Sequence, residues 1–212
     1  MKLYERNINL AERSTEPYAT HVPILVGIAA AFEPQSVIEF GSGTFSTLAF
    51  SNEMAFPTIR RVDSYENNQE WFNQVRKELS PDARVHLHLV EEKMHNAVGA
   101  ANTTNADLIF IDDSPTALAR VPTVKEVARQ CGVRPIVILH DNDLWRLRLA
   151  SRAFEHHVSF NAFNPQCSVM WHGHPERIPV VQRVGQIIRQ YSASTPVTNI
   201  EAWTQAFARK LR

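Results

Sequence analysis

The segment between Ser36 and Leu48 constrains the fold of this chain more than any other. It begins as a short apolar run, breaks at Gly41-Ser42-Gly43 and resumes as a run compatible with a helix. Glycines allow a positive φ and let a ligand approach the main chain closely. The start of the following helix offers unpaired N–H groups and a partial positive charge. We therefore predict a strand, a glycine turn and a helix that bind a nucleotide-like ligand at the edge of a parallel sheet.

The composition is that of an ordinary globular protein. At 212 residues, of which 44% are hydrophobic and 21% charged, the chain is predicted to form one domain with a full core. We divide it into an N-terminal helical arm (1–34), a core (35–172) and a C-terminal helical tail (173–212). The Lys and Arg residues equal the Asp and Glu residues, 22 of each, so the balance argues against a nucleic-acid partner held by bulk electrostatics.

The cysteines and the hydropathy pattern bear on the compartment. Cys131 and Cys167 lack the spacing of a metal site, and no secretory signal precedes them. A reduced, cytoplasmic protein is therefore predicted. No apolar stretch approaches the roughly 20 residues of a membrane span, so we expect no membrane association. The tail at 206–212 is basic and amphipathic; it packs on the domain or mediates self-association to a homo-oligomer.

Apolar runs alternate with helical patterns along the chain, which predicts a doubly wound α/β fold with a mostly parallel sheet. Strands are predicted at 36–40, 59–65, 85–90, 107–111 and 136–139, followed by an antiparallel hairpin of 158–163 and 168–172. Helices are predicted at 20–32, 69–79, 123–130, 144–155 and 180–191, with a last one from 198. Thr20 is the predicted cap of the first helix, and Thr198 with Glu201 forms a capping box at the last.

Ligands of such sheets bind outside the carboxyl ends of the strands, and the residues there are unusually polar. Glu66 ends the second predicted strand, 23 residues after Gly43. A carboxylate at this place can accept both hydroxyls of a ribose. The alternative is a solvated glutamate. Nicotinamide binding is disfavoured, because Ser46 stands where the G-x-G-x-x-G fingerprint has its third glycine.

At this point the chain resembles the class I S-adenosylmethionine (SAM)-dependent methyltransferases. Four motifs in the order of that family carry the resemblance: Val37-Ile38-Glu39-Phe40-Gly41-Ser42-Gly43, Val62-Asp63-Ser64-Tyr65-Glu66, Asp107-Leu108-Ile109-Phe110-Ile111-Asp112-Asp113 and Ile136-Val137-Ile138-Leu139-His140-Asp141-Asn142. The resemblance implies a Rossmann-like, seven-stranded sheet, which fits the late hairpin. It also implies that the glycine turn borders the methionine part of the cofactor, Glu66 holds the ribose, and Glu91 or Glu92 borders the adenine, with help from Asn67 and Trp71. The predicted cofactor-binding residues are Glu39, Gly41, Ser42, Gly43, Thr44, Ser46, Glu66, Asn67, Glu91, Glu92 and Asp112.

The chain departs from the family in ways that bear on the acceptor. The Asn/Asp-Pro-Pro-aromatic motif of N-methyltransferases is absent after the fourth strand, where Asp112-Asp113-Ser114-Pro115 stands. This departure favours a small molecule methylated at oxygen, or at carbon, over an amino group of a base. Asp113, His140 and Asp141 are the candidate catalytic residues, and His140 or Asp113 is the candidate base.

A metal site is a further hypothesis. Asp112, Asp141 and Asn142 match the magnesium ligands of catechol-type O-methyltransferases, and three oxygen ligands suit Mg²⁺. The lysine that this type carries after its first aspartate is missing. In the alternative interpretation, Asp112 contacts the cofactor while Asp141-Asn142 caps the next helix. The pairs His86/His88 and His172/His174 are weaker zinc candidates, and Arg146 is a candidate for binding an acidic substrate group.

Three functions are compatible with these patterns. The leading hypothesis is a SAM-dependent methyltransferase. The first alternative is a module that binds SAM or its demethylated product for regulation or partner binding, without catalysis. The second alternative is a nicotinamide-dependent oxidoreductase.

Overall fold

The sheet has seven strands in the order β3-β2-β1-β4-β5-β7-β6, in a computed structural model that describes residues 17–80, 84–114 and 116–211. The strands are β1 (Ser36–Phe40), β2 (Arg61–Glu66), β3 (Val85–Leu89), β4 (Leu108–Ile111), β5 (Ile136–Leu139), β6 (His156–Phe160) and β7 (Cys167–Trp171). All neighbours are parallel except β7, which is antiparallel to β5 and β6. The predicted fold class, a mostly parallel sheet closed by an antiparallel hairpin, is confirmed.

The central strands bring the polar strand ends together. β4 and β5 are buried along their whole length, as expected for continuous apolar runs covered on both faces. Phe40 pairs with Ile111, and Ile111 pairs with Leu139. The next residues in the chain after these three are Gly41, Asp112 and His140. They therefore lie together at one edge of the sheet.

Helices cover both faces of the sheet. They are α1 (Val22–Phe32), α2 (Thr47–Phe50), α3 (Gln69–Glu78), α4 (Met94–Ala100), α5 (Ala117–Gln130), α6 (Trp145–Ser151), α7 (Arg177–Tyr191) and α8 (Ile200–Lys210). One apolar cluster joins α1, α7 and α8 to the sheet, and a second joins α4, α5 and α6 to its other face. None of the described helices has the length and apolar character needed to cross a membrane.

Several predicted boundaries and caps are wrong, and the first two described here matter for the site. α5 begins at Ala117 rather than at residue 123, and Pro122 lies inside it. The N-cap of α1 is His21, without a side-chain cap, so the prediction that Thr20 caps this helix is wrong. At α8 the cap is Asn199, whose side chain accepts a hydrogen bond from Ala202 N–H, rather than Thr198. Residues 1–16 of the predicted arm lie outside the described residues.

Candidate active site

The glycine turn after β1 packs directly on the main chain at the end of β4. Gly41 has φ +94°, and a Cβ at this residue would lie 2.5 Å from the carbonyl carbon and oxygen of Asp112. Its N–H donates to the Tyr65 carbonyl oxygen at 2.8 Å. Because both the φ angle and this contact exclude a side chain, residue 41 must be glycine for the turn to sit here.

A buried carboxylate holds the rest of the turn. Thr47 donates its hydroxyl proton to Glu39 Oε2 at 2.5 Å and accepts the N–H of Gly43 at 2.8 Å. Ser64 also donates to Glu39 Oε2. Glu39 Oε1 is buried with no hydrogen-bond partner among the described residues. Burial raises the pKa of Glu39 to about 7, although the surrounding hydroxyls oppose this shift.

Glu66 lies where the sequence predicts it, at the end of β2 beside the turn. Its Oε1 accepts the N–H groups of Asn67 at 2.9 Å and Asn68 at 2.8 Å. Burial raises the pKa of this carboxyl above its usual value. Trp71 Nε1–H donates to the Ser42 carbonyl oxygen at 2.5 Å, so the indole covers the turn.

The remaining predicted cofactor residues surround this centre. Ser42 and Ser46 are buried, Thr44 is half-buried, and Asn67 is exposed. Glu91 and Glu92 are exposed at the carboxyl end of β3, where Glu92 accepts a hydrogen bond from Asn96. The predicted set therefore lies at the ends of β1, β2, β3 and β4, beside the place between β1 and β4 where the strand order reverses. In sheets of this kind that place is the ligand-binding crevice.

Arg120, on the first turns of α5, is the residue that the sequence analysis missed. Its buried guanidinium forms ion pairs with Asp112 Oδ1 at 2.9 Å and Asp141 Oδ2 at 3.0 Å. It also donates to the carbonyl oxygens of Asp113, His140 and Ser114. A planar group with five N–H donors is well suited to join so many acceptors. The guanidinium thus ties the ends of β4 and β5 to α5.

The segments that Arg120 joins carry unusual backbone angles. Ser114 has φ +69° and Asp141 has φ +58°. Non-glycine residues are seldom found in this region, and such conformations cluster at functional sites. The five hydrogen bonds and ion pairs of Arg120 are what holds both turns in place.

The magnesium ligands predicted from the sequence do not converge. Asn142 is buried; its Oδ1 accepts a hydrogen bond from Ser151 at 3.2 Å and its Nδ2 donates to Ser168, away from the two aspartates. Arg120 lies between Asp112 and Asp141, where a bridging cation would have to be. These three residues therefore do not fit Mg²⁺. Nor do Asp141 and Asn142 cap α6, whose N-cap is Leu144 without a side-chain cap.

His140 is buried beneath the crevice, with both ring nitrogens in contact with oxygen. Its Nε2 lies 2.9 Å from Thr20 Oγ1, and its Nδ1 lies 3.1 Å from Asp112 Oδ2. Burial acts to raise the pKa of Asp112, but the charges of His140 and Arg120 outweigh it and hold that pKa below its usual range. A second buried imidazole, His21, packs edge-on against His140 with ring centroids 4.8 Å apart. Burial lowers the pKa of His21 to about 3, so this ring is neutral.

Asp113 points away from the crevice and toward α5. Its side chain is fully buried, and Oδ2 accepts the hydroxyl proton of Thr123 at 2.8 Å. Burial raises the pKa of this carboxyl to about 7. As arranged, Asp113 cannot touch an acceptor. Of the other two predicted catalytic residues, Asp141 is partly exposed and His140 is buried beside it.

The weaker candidates are engaged elsewhere. His88 pairs with Asp63 at 2.9 Å, while His86 is exposed. His172 contacts the Ala128 carbonyl oxygen, and His174 contacts Glu176. Arg146 stacks over the exposed Trp145 ring at 5.1 Å. Neither His-x-His pair is joined by a third ligand among the described residues.

Solved structures share this architecture at low sequence identity. Human methyltransferase-like protein 13 in complex with SAH matches at a TM-score of 0.55 and 16% identity, over 92% of this chain and 90% of that one. A putative caffeoyl-CoA O-methyltransferase from Staphylococcus aureus matches at 0.57 and 13%, over 72% and 82%. Spermidine synthase from Thermotoga maritima matches at 0.52 and 15%, over 73% of this chain and 62% of that one.

Sequence comparison adds no relative to these structures. No protein-family model matches the chain, and no curated protein matches its sequence significantly. The chain thus has the fold of the class I SAM-dependent methyltransferases, and the resemblance indicated by its four motifs is confirmed for that fold. The spermidine synthase has the same architecture, so the fold alone does not define the reaction.

Proposed function

We propose that this protein is a SAM-dependent methyltransferase that acts on a small molecule at oxygen. The observation that carries the proposal is the crevice formed by the Gly41 turn, the end of β4 and Glu66. In open α/β sheets this is the place where the strand order reverses and where nucleotide-like ligands bind.

The residues of the crevice fit the parts of the cofactor. Gly41, Ser42 and Gly43 would border the methionine part, and the unpartnered Oε1 of Glu39 would accept its cationic amine. Glu66, held by two N–H groups at the end of β2, would accept the ribose hydroxyls. Glu91, Glu92, Asn67 and Trp71 would border the adenine.

The acceptor would bind on the side of Asp112 that faces Asp141 and His140. When bound, SAM supplies a methyl group on a sulfonium, and the protein must align the acceptor and remove its proton. Alignment alone is worth about 7–11 kcal/mol of the barrier. The Asp141 carboxylate is 31% exposed, and its Oδ1 lies 3.6 Å from His140 Nδ1. Asp141 is therefore the group placed to take a hydroxyl proton, and His140 lies buried directly behind it.

Thermal unfolding tests the cofactor class. We expect SAM and its demethylated product to raise the melting temperature and NAD to leave it unchanged. A ligand at 100 times its dissociation constant adds about 2.7 kcal/mol to stability. Stabilisation by NAD alone would contradict the proposal, as would the absence of any shift with SAM at millimolar concentration.

Glu66→Gln tests the ribose contact. The amide can still accept from Asn67 and Asn68, but it loses the charge that receives two hydroxyl protons, so we expect SAM affinity to fall at least tenfold, or by about 1.4 kcal/mol. Glu70→Gln removes the same charge from the exposed first turn of α3 and is the matched control. Isothermal titration with SAM measures both; equal affinities would remove Glu66 from the site.

Transfer itself needs a separate measurement. Radiolabelled methyl transfer to a panel of small phenols, alcohols and carboxylic acids is expected to give labelled oxygen products. Tight SAM binding with no transfer to any acceptor would favour the non-catalytic SAM-binding module instead.

A further inference from the structure

The Asp112 and Asp141 carboxylates each have one oxygen bound to Arg120 and one oxygen turned toward the histidines. Arg120 takes Asp112 Oδ1 and Asp141 Oδ2. The opposite oxygens, Asp112 Oδ2 and Asp141 Oδ1, lie 3.1 Å and 3.6 Å from His140 Nδ1. One guanidinium thus balances one of the two negative charges, and the side facing the histidines retains the other.

The Thr20 hydroxyl defines which nitrogen of His140 carries a proton. Thr20 Oγ1 donates its proton to the Pro165 carbonyl oxygen at 2.9 Å, and the carbonyl can only accept. Thr20 Oγ1 therefore accepts the Nε2–H of His140 at 2.9 Å. In a neutral ring, this places the Nδ1 lone pair against two carboxylate oxygens. Such an arrangement requires a cation at Nδ1, either a proton or a metal ion.

His21 distinguishes between the two cations. Its side chain is 2% exposed, and neither ring nitrogen has a hydrogen-bond partner among the described residues. Its Nδ1 lies 4.0 Å from Asp112 Oδ2, while the ring is held between Phe110 and His140 at centroid distances of 4.8 Å. A proton on His140 would leave His21 without a partner, and buried polar groups are almost always paired. A metal ion would bind one nitrogen of each ring.

We propose that His21, His140 and Asp112 form a binding site for a first-row transition-metal cation of the Zn²⁺ type. One ligand atom from each lies within 4.8 Å of the other two. Ligands about 2.0–2.1 Å from a tetrahedral zinc are roughly 3.3 Å apart, so small side-chain shifts close the site. Two imidazoles and a carboxylate suit Zn²⁺ or Fe²⁺ rather than Mg²⁺. Asp141 Oδ1 or water would complete the coordination. This inference goes beyond the proposed function and does not depend on SAM.

The test is zinc titration of the tag-free, chelator-treated protein. We expect one tight Zn²⁺ per chain, without competition from millimolar Mg²⁺. His21→Phe keeps a ring against Phe110 but removes both nitrogens. It should weaken Zn²⁺ binding by about 100-fold or more, because loss of a group that only hydrogen-bonds a metal ligand already lowers metal affinity by about 10–100-fold. Circular dichroism confirms that the variant folds.

The His86/His88 pair on β3 provides the control, because it could bind zinc adventitiously. The double variant His86→Gln/His88→Gln should keep the tight site. X-ray absorption at the zinc edge of this variant should show two imidazoles, and this measurement stands even if His21→Phe fails to fold. The proposal is overturned if no stoichiometric zinc binds, if the double variant abolishes binding, or if His21→Phe leaves the affinity unchanged. Each of these outcomes is independent of SAM binding.

Discussion

One main-chain contact determines the identity of residue 41. Gly41→Ala would place a methyl group 2.5 Å from the Asp112 carbonyl at a φ of +94°. The sum of backbone strain and overlap predicts a loss of roughly 3 kcal/mol in the free energy of unfolding, and loss of SAM binding. Urea unfolding measures the first and titration the second.

Gly132 provides the matched control for that substitution. It also has a positive φ, +66°, but the nearest atom to an added Cβ is Thr104 Cγ2 at 3.6 Å. Gly132→Ala should therefore cost only the backbone term, about 1–2 kcal/mol, and leave SAM affinity intact. Equal effects of the two substitutions would mean that the contact with Asp112 is not what requires glycine at residue 41.

At the scale of the element, α8 tests the capping assignment. Asn199 Oδ1 accepts the Ala202 N–H at 3.0 Å, whereas the buried Thr198 hydroxyl has no hydrogen-bond partner within the described part of the chain. Asn199→Ala should lower the free energy of unfolding by about 1 kcal/mol. Thr198→Val keeps the shape and removes an unsatisfied hydroxyl, so no loss is expected. Urea unfolding of both variants distinguishes the two capping assignments. A larger loss in the free energy of unfolding for Thr198→Val than for Asn199→Ala would support the predicted capping box instead.

The elements also show what local pattern can reveal. The predicted strands 36–40 and 136–139 have the observed boundaries, because buried parallel strands are continuous apolar runs. The start of α5 was predicted six residues late, since Pro122 interrupts the helical pattern. Arg120 therefore fell outside any predicted element. If α5 is taken to begin at Ala117, Arg120 lies in its first turn and can reach Asp112 and Asp141 at the ends of β4 and β5. That position in the helix is the signal for Arg120.

At the scale of the whole molecule, the site residues that the sequence did not predict are brought into place by tertiary packing. His21 meets His140 only because α1 packs across the sheet with α7 and α8. At Gly27 of α1, an added Cβ would lie 2.5 Å from Phe207 and 2.7 Å from Val184. No local pattern around His21 marks it as part of a site. The glycine turn and Glu66, by contrast, belong to a local strand–turn–helix unit and could be predicted.

The free energy of unfolding of the whole molecule depends on pH, and the buried Glu39 carboxyl contributes to that dependence. Its pKa is raised to about 7 from 4.5, so between these values the folded state holds a proton that the unfolded state has released. The free energy of unfolding must then fall as pH rises through this window, and level off above it. Glu39→Gln lacks this term. Between pH 4.5 and pH 8 the difference between wild type and Glu39→Gln should shift by roughly 3 kcal/mol in favour of the variant.

Urea unfolding at several pH values measures this difference. Glu70→Gln, at an exposed position, should run parallel to the wild type across the same range. If the difference between wild type and Glu39→Gln is independent of pH, the buried carboxyl does not titrate in the folded state as described.

The contact between Gly41 and Asp112 also has a thermodynamic consequence. The cofactor crevice and the histidine-lined side of Asp112 share one peptide unit as their common wall. A ligand that shifts this unit from one side alters the free energy of binding on the other. Linkage requires the effect to be reciprocal, so the factor by which the first ligand changes the affinity of the second equals the factor in the reverse order. The coupling would then pass through a peptide unit against which only a residue without a side chain can pack.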